Sequence, residues 1–425
     1  MAETHIHADY LSGARELASA VGARLYLSDE GGAAWKYAGL DGLDVQLVRD
    51  GDDLSFGAVQ VTVWHTPGYT PEHVAFVVTD GGRGDEPAIL LSGDFVFVGD
   101  VGRPDLLERA AGIAGTAQVG AEQLFASLRD RFLALPDHVQ VCPGHGAGSA
   151  CGKSLGAVTS TTVGYERRMA WWAAHLANGA ADDFAAELLD GQPESPTYFA
   201  EMKRLNRDGM LILGELPSIP TTSWPLTESY EGGSATVVDV RRAGEFAEGH
   251  IEGAVSVPRG RLLSTWAGWL LPYDRPLLVA GADDGLPDDV RLALLRVGLE
   301  RIVGYLPMHS LPRSALVPTP QLDTADAYRR WLDARPLLLD VRSRAEFATG
   351  HIPGALNIHV GELRTRIAEL PSDGQIVVYC ESGVRSALAT SVLLGAGRAA
   401  SDVRGGMRAW RSSGYPIEEP TARAA

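Results

Sequence analysis

A chain of 425 residues, 45% hydrophobic and 21% charged, carries material for roughly three domains of about 150 residues each. Its formal net charge of −17 disfavours nucleic acid and anionic membranes as partners, and no apolar run of about 20 residues is present to span a bilayer. The three cysteines, Cys142, Cys151 and Cys380, are too few for a disulfide framework, and the opening MAETHIHADYL has no basic region followed by an apolar stretch; a reducing cytoplasm is expected.

The first residues hold a dense run of candidate ligands, Thr4-His5-Ile6-His7-Ala8-Asp9-Tyr10. On a turn after a strand, His5 and His7 can both face one metal ion. GARELASAVG (13–22) predicts a helix closed by Gly22. RLYLS (24–28), VQVTVWH (59–65), HVAFVVT (73–79), AILLSGD (88–94) and VQVCPGH (139–145) predict short strands, several of which end in His or Asp. That pattern places a site on loops at one edge of a sheet. It adds His65 and His73 around TPGYTPEH, Asp94 in SGD and His145 in CPGHG to the candidate ligands. Residues 153–215 read as helical and connecting, and GELPSIPTTSWPLTE (214–228) as a linker rich in Pro, Ser and Thr.

An internal repeat follows. VVDVRRAGEFAEGHIEGAVSVP (237–258) and LLDVRSRAEFATGHIPGALNIH (338–359) share D-V-R, E-F, G-H-I and G-A at identical offsets. The spacing is a domain's length, so the pattern is a tandem duplication. Each copy then offers a second strand, PLLVAG (276–281) or QIVVYC (375–380), and a helix, which argues for a parallel α/β sheet in each. The expected organisation is a domain at 1–213, a linker at 214–228, and two further domains at 229–312 and 315–420.

In the second copy, strand IVVY (376–379) runs into Cys380-Glu381-Ser382-Gly383-Val384-Arg385-Ser386 and then a helix. A cysteine there sits in the crevice at the carboxyl end of a parallel strand. Backbone N–H groups and the helix N-terminus make an anion cradle, which stabilises a thiolate and then a persulfide anion. Gly383 permits the tight turn and Arg385 adds positive charge. Glu381 is expected to offset part of that charge and to favour neutral or cationic donors. Cys380 and Arg385 are therefore the candidate catalytic residues, and Glu381, Ser382, Gly383, Val384 and Ser386 the candidate binding residues. Asp340, Arg342 and His351 read as fold-fixing. The first copy contains no cysteine, and its equivalent region GADDGLPDD (281–289) is acidic where an anion cradle is needed. It is expected to serve packing and positioning.

The D-V-R and G-H-I-P-G-A elements, the Cys380–Arg385 loop and the closing GGMRAWRSSGYPIE (405–418) resemble the rhodanese family. The resemblance covers nearly all of the last copy and implies that Cys380 carries sulfur. The first copy resembles a catalytically silent rhodanese domain. H-x-H-x-D, T-P-G, S-G-D and P-G-H-G, in that order, resemble the metallo-β-lactamase superfamily and, in detail, the persulfide dioxygenases. As a whole the chain resembles the persulfide dioxygenase–rhodanese fusions. That implies an α/β multidomain fold: an αββα sandwich followed by two doubly wound parallel α/β domains. It also implies iron-dependent oxidation of a low-molecular-weight thiol persulfide with O2 to sulfite, and sulfur transfer from Cys380 giving thiosulfate. One Fe(II) per chain is implied, with zinc as the alternative; no nucleic acid or membrane is involved, and a homo-oligomer is compatible.

The sequence departs from these families at two ligand positions. The superfamily's hydrolases use H-x-H-x-D-H to hold two zinc ions; here Tyr10 takes the last place, which implies a mononuclear site. The dioxygenase triad carries over onto His5 and Asp94, and its third ligand, the histidine of P-G-H-T, falls on Tyr69. Three outcomes stay open there: Tyr69 ligates iron, His7 substitutes in a His5–His7–Asp94 set, or the site holds no iron. Family members also carry about fifty more residues before the H-x-H run, so a truncated first layer with a raw sheet edge is expected. Two other functions remain in view, a sulfurtransferase on a metal-dead scaffold and a thioester hydrolase of the glyoxalase II type.

Overall fold

The alternating run Val59–His65 forms the strand its pattern predicts and becomes the second strand of a six-stranded sheet. The structure, a computed structural model, describes residues 1–106, 108, 115–153, 155–224 and 235–419. The end of the expected linker (225–228), the first residues of the middle domain (229–234) and Pro420 lie outside the described residues. The chain divides into two compact units, Met1–Leu216 and Pro217–Ala425.

In the first unit, helix α1 (Ala14–Val21) stops at Gly22, which takes the left-handed φ of 64° open to glycine. Strands β1 (Leu25–Ser28) and β2 (Val45–Val48) pair in parallel. Strands β3 (Asp53–Phe56), β4 (Val59–His65), β5 (Val74–Asp80), β6 (Pro87–Gly93), β7 (Gln140–Pro143) and β8 (Thr161–Thr162) lie side by side in that order. All of these pairs are antiparallel except β6–β7. Side-chain alternation sends Ala75 and Val77 to one face of β5, and Val74 and Phe76 to the other. The first face packs under α2 (Thr116–Asp130), α3 (Val163–Met169), α4 (Ala173–Asn178) and α5 (Ala181–Leu189), with Leu124, Leu128, Trp172 and Phe184 in the shared core. The second face packs with Val48, Leu54 and Val63. Helix α6 (Phe199–Asp208) closes the unit. Strands β2, β3 and β8 were not among the predicted strands, and β8 is only two residues long.

The second unit holds both copies of the repeat. The first comprises β9 (Thr236–Asp239), α7 (Ala243–Glu248), β10 (Val255–Ser256), α8 (Leu263–Leu270), β11 (Leu277–Gly281), α9 (Asp288–Leu295) and β12 (Ile302–Pro307). Its sheet order is β10-β9-β11-β12, all parallel. The second comprises β13 (Gln321–Leu322), α10 (Thr324–Asp333), β14 (Leu337–Asp340), α11 (Arg344–Ala348), β15 (Leu356–Asn357), α12 (Leu363–Arg366), β16 (Ile376–Tyr379), α13 (Val384–Gly395), β17 (Ala400–Val403) and α14 (Gly406–Ser412). Its order is β13-β17-β16-β14-β15, again all parallel. Strand–helix alternation requires this, because a crossover helix returns the chain in the same direction.

The repeated motif is a clamp. Arg342 donates to Asp340 at 2.7 Å and to the Gly350 carbonyl at 2.8 Å; Arg241 does the same to Asp239 at 2.5 Å and to the Gly249 carbonyl at 2.8 Å. His351 and His250 stack on Phe347 and Phe246, with ring centroids 3.6 and 3.9 Å apart. Each clamp ties a strand end to the far end of the next helix, and its ion pair is nearly dry in the second copy. The copies meet where the Ser256 N–H donates to Ser391 Oγ at 3.0 Å and Trp269 covers Gly361. Among the described residues, no helix is long and apolar enough to cross a membrane.

Candidate functional site

Cys380 follows β16, and its Sγ accepts the Gly383 N–H at 3.1 Å. Gly383 has φ 97° and precedes α13, so the loop curls under the sulfur and aims the helix N-terminus at it. Two further hydrogen bonds hold the loop from α14: the N–H of Met407 donates to the Cys380 carbonyl at 2.7 Å, and that of Arg408 to the Glu381 carbonyl at 3.0 Å. Cys380 is 1% exposed. Ser382 and Val384 are exposed at the loop surface and Ser386 is buried.

Charge is arranged differently from the sequence expectation. Both terminal nitrogens of Arg385 donate to Glu346, each at 2.6 Å, which ties the guanidinium to α11 while its charge still acts on Cys380. Glu381 is compensated, with Arg411 at 3.1 Å and Arg342 at 3.5 Å, so it does not stand as a bare negative charge beside the sulfur. Neither pairing is visible locally, because the partners come from distant elements.

The matching region of the first copy follows β11. There Arg259 pairs with Asp289 and Asp283, and the Tyr305 hydroxyl bonds the backbone of Asp283. This loop presents carboxylates where the second copy presents a thiol.

In the first unit the H-x-H run is held from three sides. The Thr4 carbonyl accepts from Val74 N–H at 2.8 Å, Glu72 Oε1 accepts from Ile6 N–H at 2.8 Å, and Asn206 Nδ2 donates to the carbonyls of His7 and Tyr10. Thr4 Oγ1 sits 2.8 Å from His5 Nδ1, which turns Nε2 inward. Glu3 holds His7 Nε2 at 2.9 Å, which turns Nδ1 inward. Asp94 follows Gly93, whose φ is 53°; a Cβ there would lie 2.6 Å from Thr4 Oγ1 and 2.8 Å from His73 Nε2. That close approach admits glycine alone.

Asp94 spans the site. Its Oδ2 is 3.9 Å from His5 Nε2, and its Oδ1 is 3.5 Å from His145 Nε2, which is itself 3.4 Å from Asp9 Oδ2. His5 Nε2, His7 Nδ1, Asp9 Oδ1, both Asp94 oxygens and His145 Nε2 are buried without a hydrogen-bond partner. So many orphaned donors and acceptors in one place are costly unless a ligand meets them. Spacings of this size match two ligand atoms of one ion, which lie about 3.4 Å apart in a tetrahedral site with bonds near 2.1 Å.

Two sequence candidates face elsewhere. His73 is engaged on both ring nitrogens, by Thr66 Oγ1 at 2.8 Å and by Asp94 N–H at 3.1 Å, and burial pushes its pKa down to about 3. It orients Asp94 and has no lone pair left for a metal. His65 bonds the Pro71 carbonyl at 2.8 Å. Tyr69 is buried with its hydroxyl donating to Cys151 Sγ at 3.1 Å. Burial, with Cys151 and Asp94 nearby, holds its phenol pKa well above the ordinary value, which keeps the donor proton in place. Sequence reasoning passed over Cys151; its ligand atom lies within 4.8 Å of those of Asp9 and His145. The available signal was its place in the same glycine-rich loop as His145.

Comparison with known proteins agrees with this layout. The metallo-beta-lactamase superfamily matches residues 2–145, and the rhodanese-like domain matches residues 225–307 and 324–413. A crystal structure of a metallo-beta-lactamase from Staphylococcus aureus subsp. aureus COL is 37% identical, with a TM-score of 0.64, covering 72% of this chain and 84% of that one. A sulfurtransferase of Allochromatium vinosum is 39% identical over 103 residues, 24% of this chain and 95% of that protein. A hydroxyacylglutathione hydrolase of Cereibacter sphaeroides is 34% identical over 142 residues, 33% of this chain and 46% of that protein. The chain spans about half the length of the first curated relatives it matches, 46% and 45%.

Proposed function

This chain belongs to the proteins that join a metallo-β-lactamase superfamily domain to tandem rhodanese-like domains, and on that premise we propose that it is a sulfurtransferase of sulfur metabolism with Cys380 as the sulfur carrier. The observation that carries the reading is the Cys380 Sγ at the end of β16, accepting the Gly383 N–H at 3.1 Å beside the N-terminus of α13. The Cys380 thiolate attacks the sulfane sulfur of a donor. A new S–S bond forms as the donor's bond to that sulfur breaks, and the donor leaves with the electron pair. The cradle then holds the terminal persulfide anion until an acceptor attacks the outer sulfur.

In the fuller reading, the first unit oxidises a low-molecular-weight thiol persulfide: RSSH, O2 and water give RSH, sulfite and two protons. Sulfite then takes the outer sulfur from Cys380 as thiosulfate and returns the thiolate. The donor set His5 Nε2, His7 Nδ1 and Asp94, two imidazoles and one carboxylate with inward-facing orphaned atoms, fits one Fe(II) per chain and leaves positions open. When bound, that ion supplies O2 activation. The chain's own residues do the rest: Thr4 and Glu3 fix the two rings, Glu72 anchors the loop between them, and His73 aims Asp94. Tyr69 is left outside the ligand set, because its hydroxyl serves Cys151.

The test is metal analysis of anaerobically purified full chain combined with oxygen uptake on a glutathione-type persulfide. The expected result is iron, persulfide-dependent uptake and a Cys380 that gains one sulfur by mass. Cys380→Ser should end thiosulfate formation and leave sulfite formation intact. Sulfur loading without iron or uptake would reduce the reading to a sulfurtransferase on a metal-dead scaffold. Zinc, no uptake and thioester cleavage would favour the hydrolase reading that the hydroxyacylglutathione hydrolase match raises. Sulfur transfer by Cys380→Ser would overturn the carrier assignment.

A further inference from the structure

We propose that Asp402 is a positioning residue for sulfur transfer: its buried carboxyl lies on the sheet face that carries Cys380, faces Ser386 in the first turn of α13, and sets how readily the sulfur holds negative charge. The proposal rests on the sulfur-carrier reading above.

Strand register puts the carboxyl there. Asp402 on β17 pairs with Val378 on β16, two residues before Cys380. Directly paired residues point to the same face of a sheet, and so do residues two apart on one strand. Asp402, Val378 and Cys380 therefore share a face, and α13 packs on both strands. On its other edge β17 is held by β13, where the Asp402 N–H donates to the Pro320 carbonyl at 2.9 Å.

The polar groups in this layer are unmet. Asp402 is 2% exposed, and Ser386 and Thr390, one turn apart on α13, are fully buried. Asp402 Oδ1, Ser386 Oγ and Thr390 Oγ1 have no hydrogen-bond partner among the described residues. Gln321 Nε2 reaches Asp402 Oδ2 only at 3.5 Å. A carboxyl so placed is costly when ionised. Burial pushes its pKa up to about 6, against the pull of Ser386, Gln321 and Arg404. Arg404 is the charged side chain that acts on it; α13, β13 and β16 offer Ser386, Gln321 and Val378, none of them charged.

The sulfur above this layer gathers negative charge, first as the thiolate and then as the terminal persulfide. With its proton, Asp402 donates to Ser386 Oγ and the layer is neutral. Without it, the carboxylate accepts the Ser386 hydroxyl and sets a second negative charge on the same face, which disfavours the thiolate. The proton exchanges with solvent, and no bond to sulfur is made or broken. The coupling is reciprocal, so a charged sulfur makes Asp402 hold its proton more tightly.

The test is the alkylation rate of Cys380 by iodoacetamide in the full chain, followed by peptide mass over a pH series. Wild type should show a step near pH 6 beside the thiol's own inflection. Asp402→Asn should lose that step and react about threefold faster at neutral pH, as expected when a like charge is removed. Ser386→Ala removes a group that favours the ionised carboxyl, so its step should move to higher pH. Thermal unfolding checks that each variant is folded, and a packing defect alone would change the rate at every pH and leave the step in place. Loading with thiosulfate is measured alongside: a wild-type chain that shows the step but takes up no sulfur would overturn the carrier reading and leave the coupling of Asp402 to Cys380 supported. A wild-type profile without the step, or one superimposable on that of Asp402→Asn, would overturn the proposal. Should Asp402→Asn fail to fold, an unmoved step in Ser386→Ala would overturn it.

Discussion

The Tyr69 hydroxyl donates to Cys151 Sγ at 3.1 Å, and both side chains are buried beside Asp94. Tyr69 is therefore committed to a sulfur partner, while its ring stands edge-on to His5 with centroids 5.1 Å apart. Tyr69→His removes the donor to Cys151 and places a third imidazole beside His5. Iron retained through anaerobic purification should rise, and persulfide-dependent oxygen uptake should rise with it. Inductively coupled plasma analysis and an oxygen electrode measure both. If wild-type chain already holds full iron and the variant changes neither quantity, Tyr69 does not limit the site.

The sulfur loop depends on the glycine that opens α14. Gly406 has φ 53°, and a Cβ on it would lie 2.2 Å from the Cys380 carbonyl oxygen, the acceptor for Met407 N–H. Gly406→Ala must shift the loop backbone, at a cost of roughly 1–3 kcal/mol in strain. Sulfur loading of Cys380 should fall sharply in mass spectra. Gly244→Ala is the control: it lies in α7 with open space around its Cβ position, and it should leave loading unchanged and stability equal or slightly higher. Normal loading in Gly406→Ala would show that the α14 contact does not shape the cradle.

The Arg385–Glu346 pair gives a pH signature. Burial alone would raise the Glu346 carboxyl, but the Arg385 hydrogen bonds and charge bring it down from 4.5 to about 2. A depressed acid stabilises the fold fully above its unfolded value and loses that contribution as pH falls through its folded value. The stability gap between wild type and Glu346→Gln should therefore be constant above about pH 5 and close between about 4.5 and 2. Denaturant midpoints at several pH values measure it. A gap that stays open at low pH would assign the effect to packing instead.

Much of this was legible locally and some could not be. The strand at Val59–His65 was readable because polar and apolar side chains alternate over seven residues. The D-V-R and G-H-I repeats were readable as fold clamps because the same offsets recur in two copies, and in both the arginine reaches the carbonyl eight residues on. The H-x-H-x-D run announces a ligand-rich turn. Which histidine faces inward is not written there: His73 is consumed by Thr66 and the Asp94 backbone, a pairing made by tertiary contact. Cys151 meets Tyr69 across 82 positions of sequence, and Arg385 meets Glu346 across 39. No local pattern carries such pairs, so the Arg411 partner of Glu381 and the Cys151 partner of Tyr69, where three outcomes stood open, could not be read from the sequence.

The cysteine-free copy makes its own prediction, because helix α13 behind the sulfur loop rests partly on it. The Ser256 N–H donates to Ser391 Oγ at 3.0 Å, and Trp269 covers Gly361 so closely that a Cβ there would meet its ring at 1.9 Å. Trp269 also stands edge-on to His359, with centroids 5.1 Å apart. A buried tryptophan cut to alanine at such a contact costs about 3–5 kcal/mol. In Trp269→Ala the second unit should unfold at lower denaturant, and a single transition should split as the copies lose their coupling. Cys380 should still accept sulfur at low denaturant, since its cradle is built from β16, α13 and α14 of its own copy. A loss below about 1 kcal/mol with one unchanged transition would show that the first copy does not support the second.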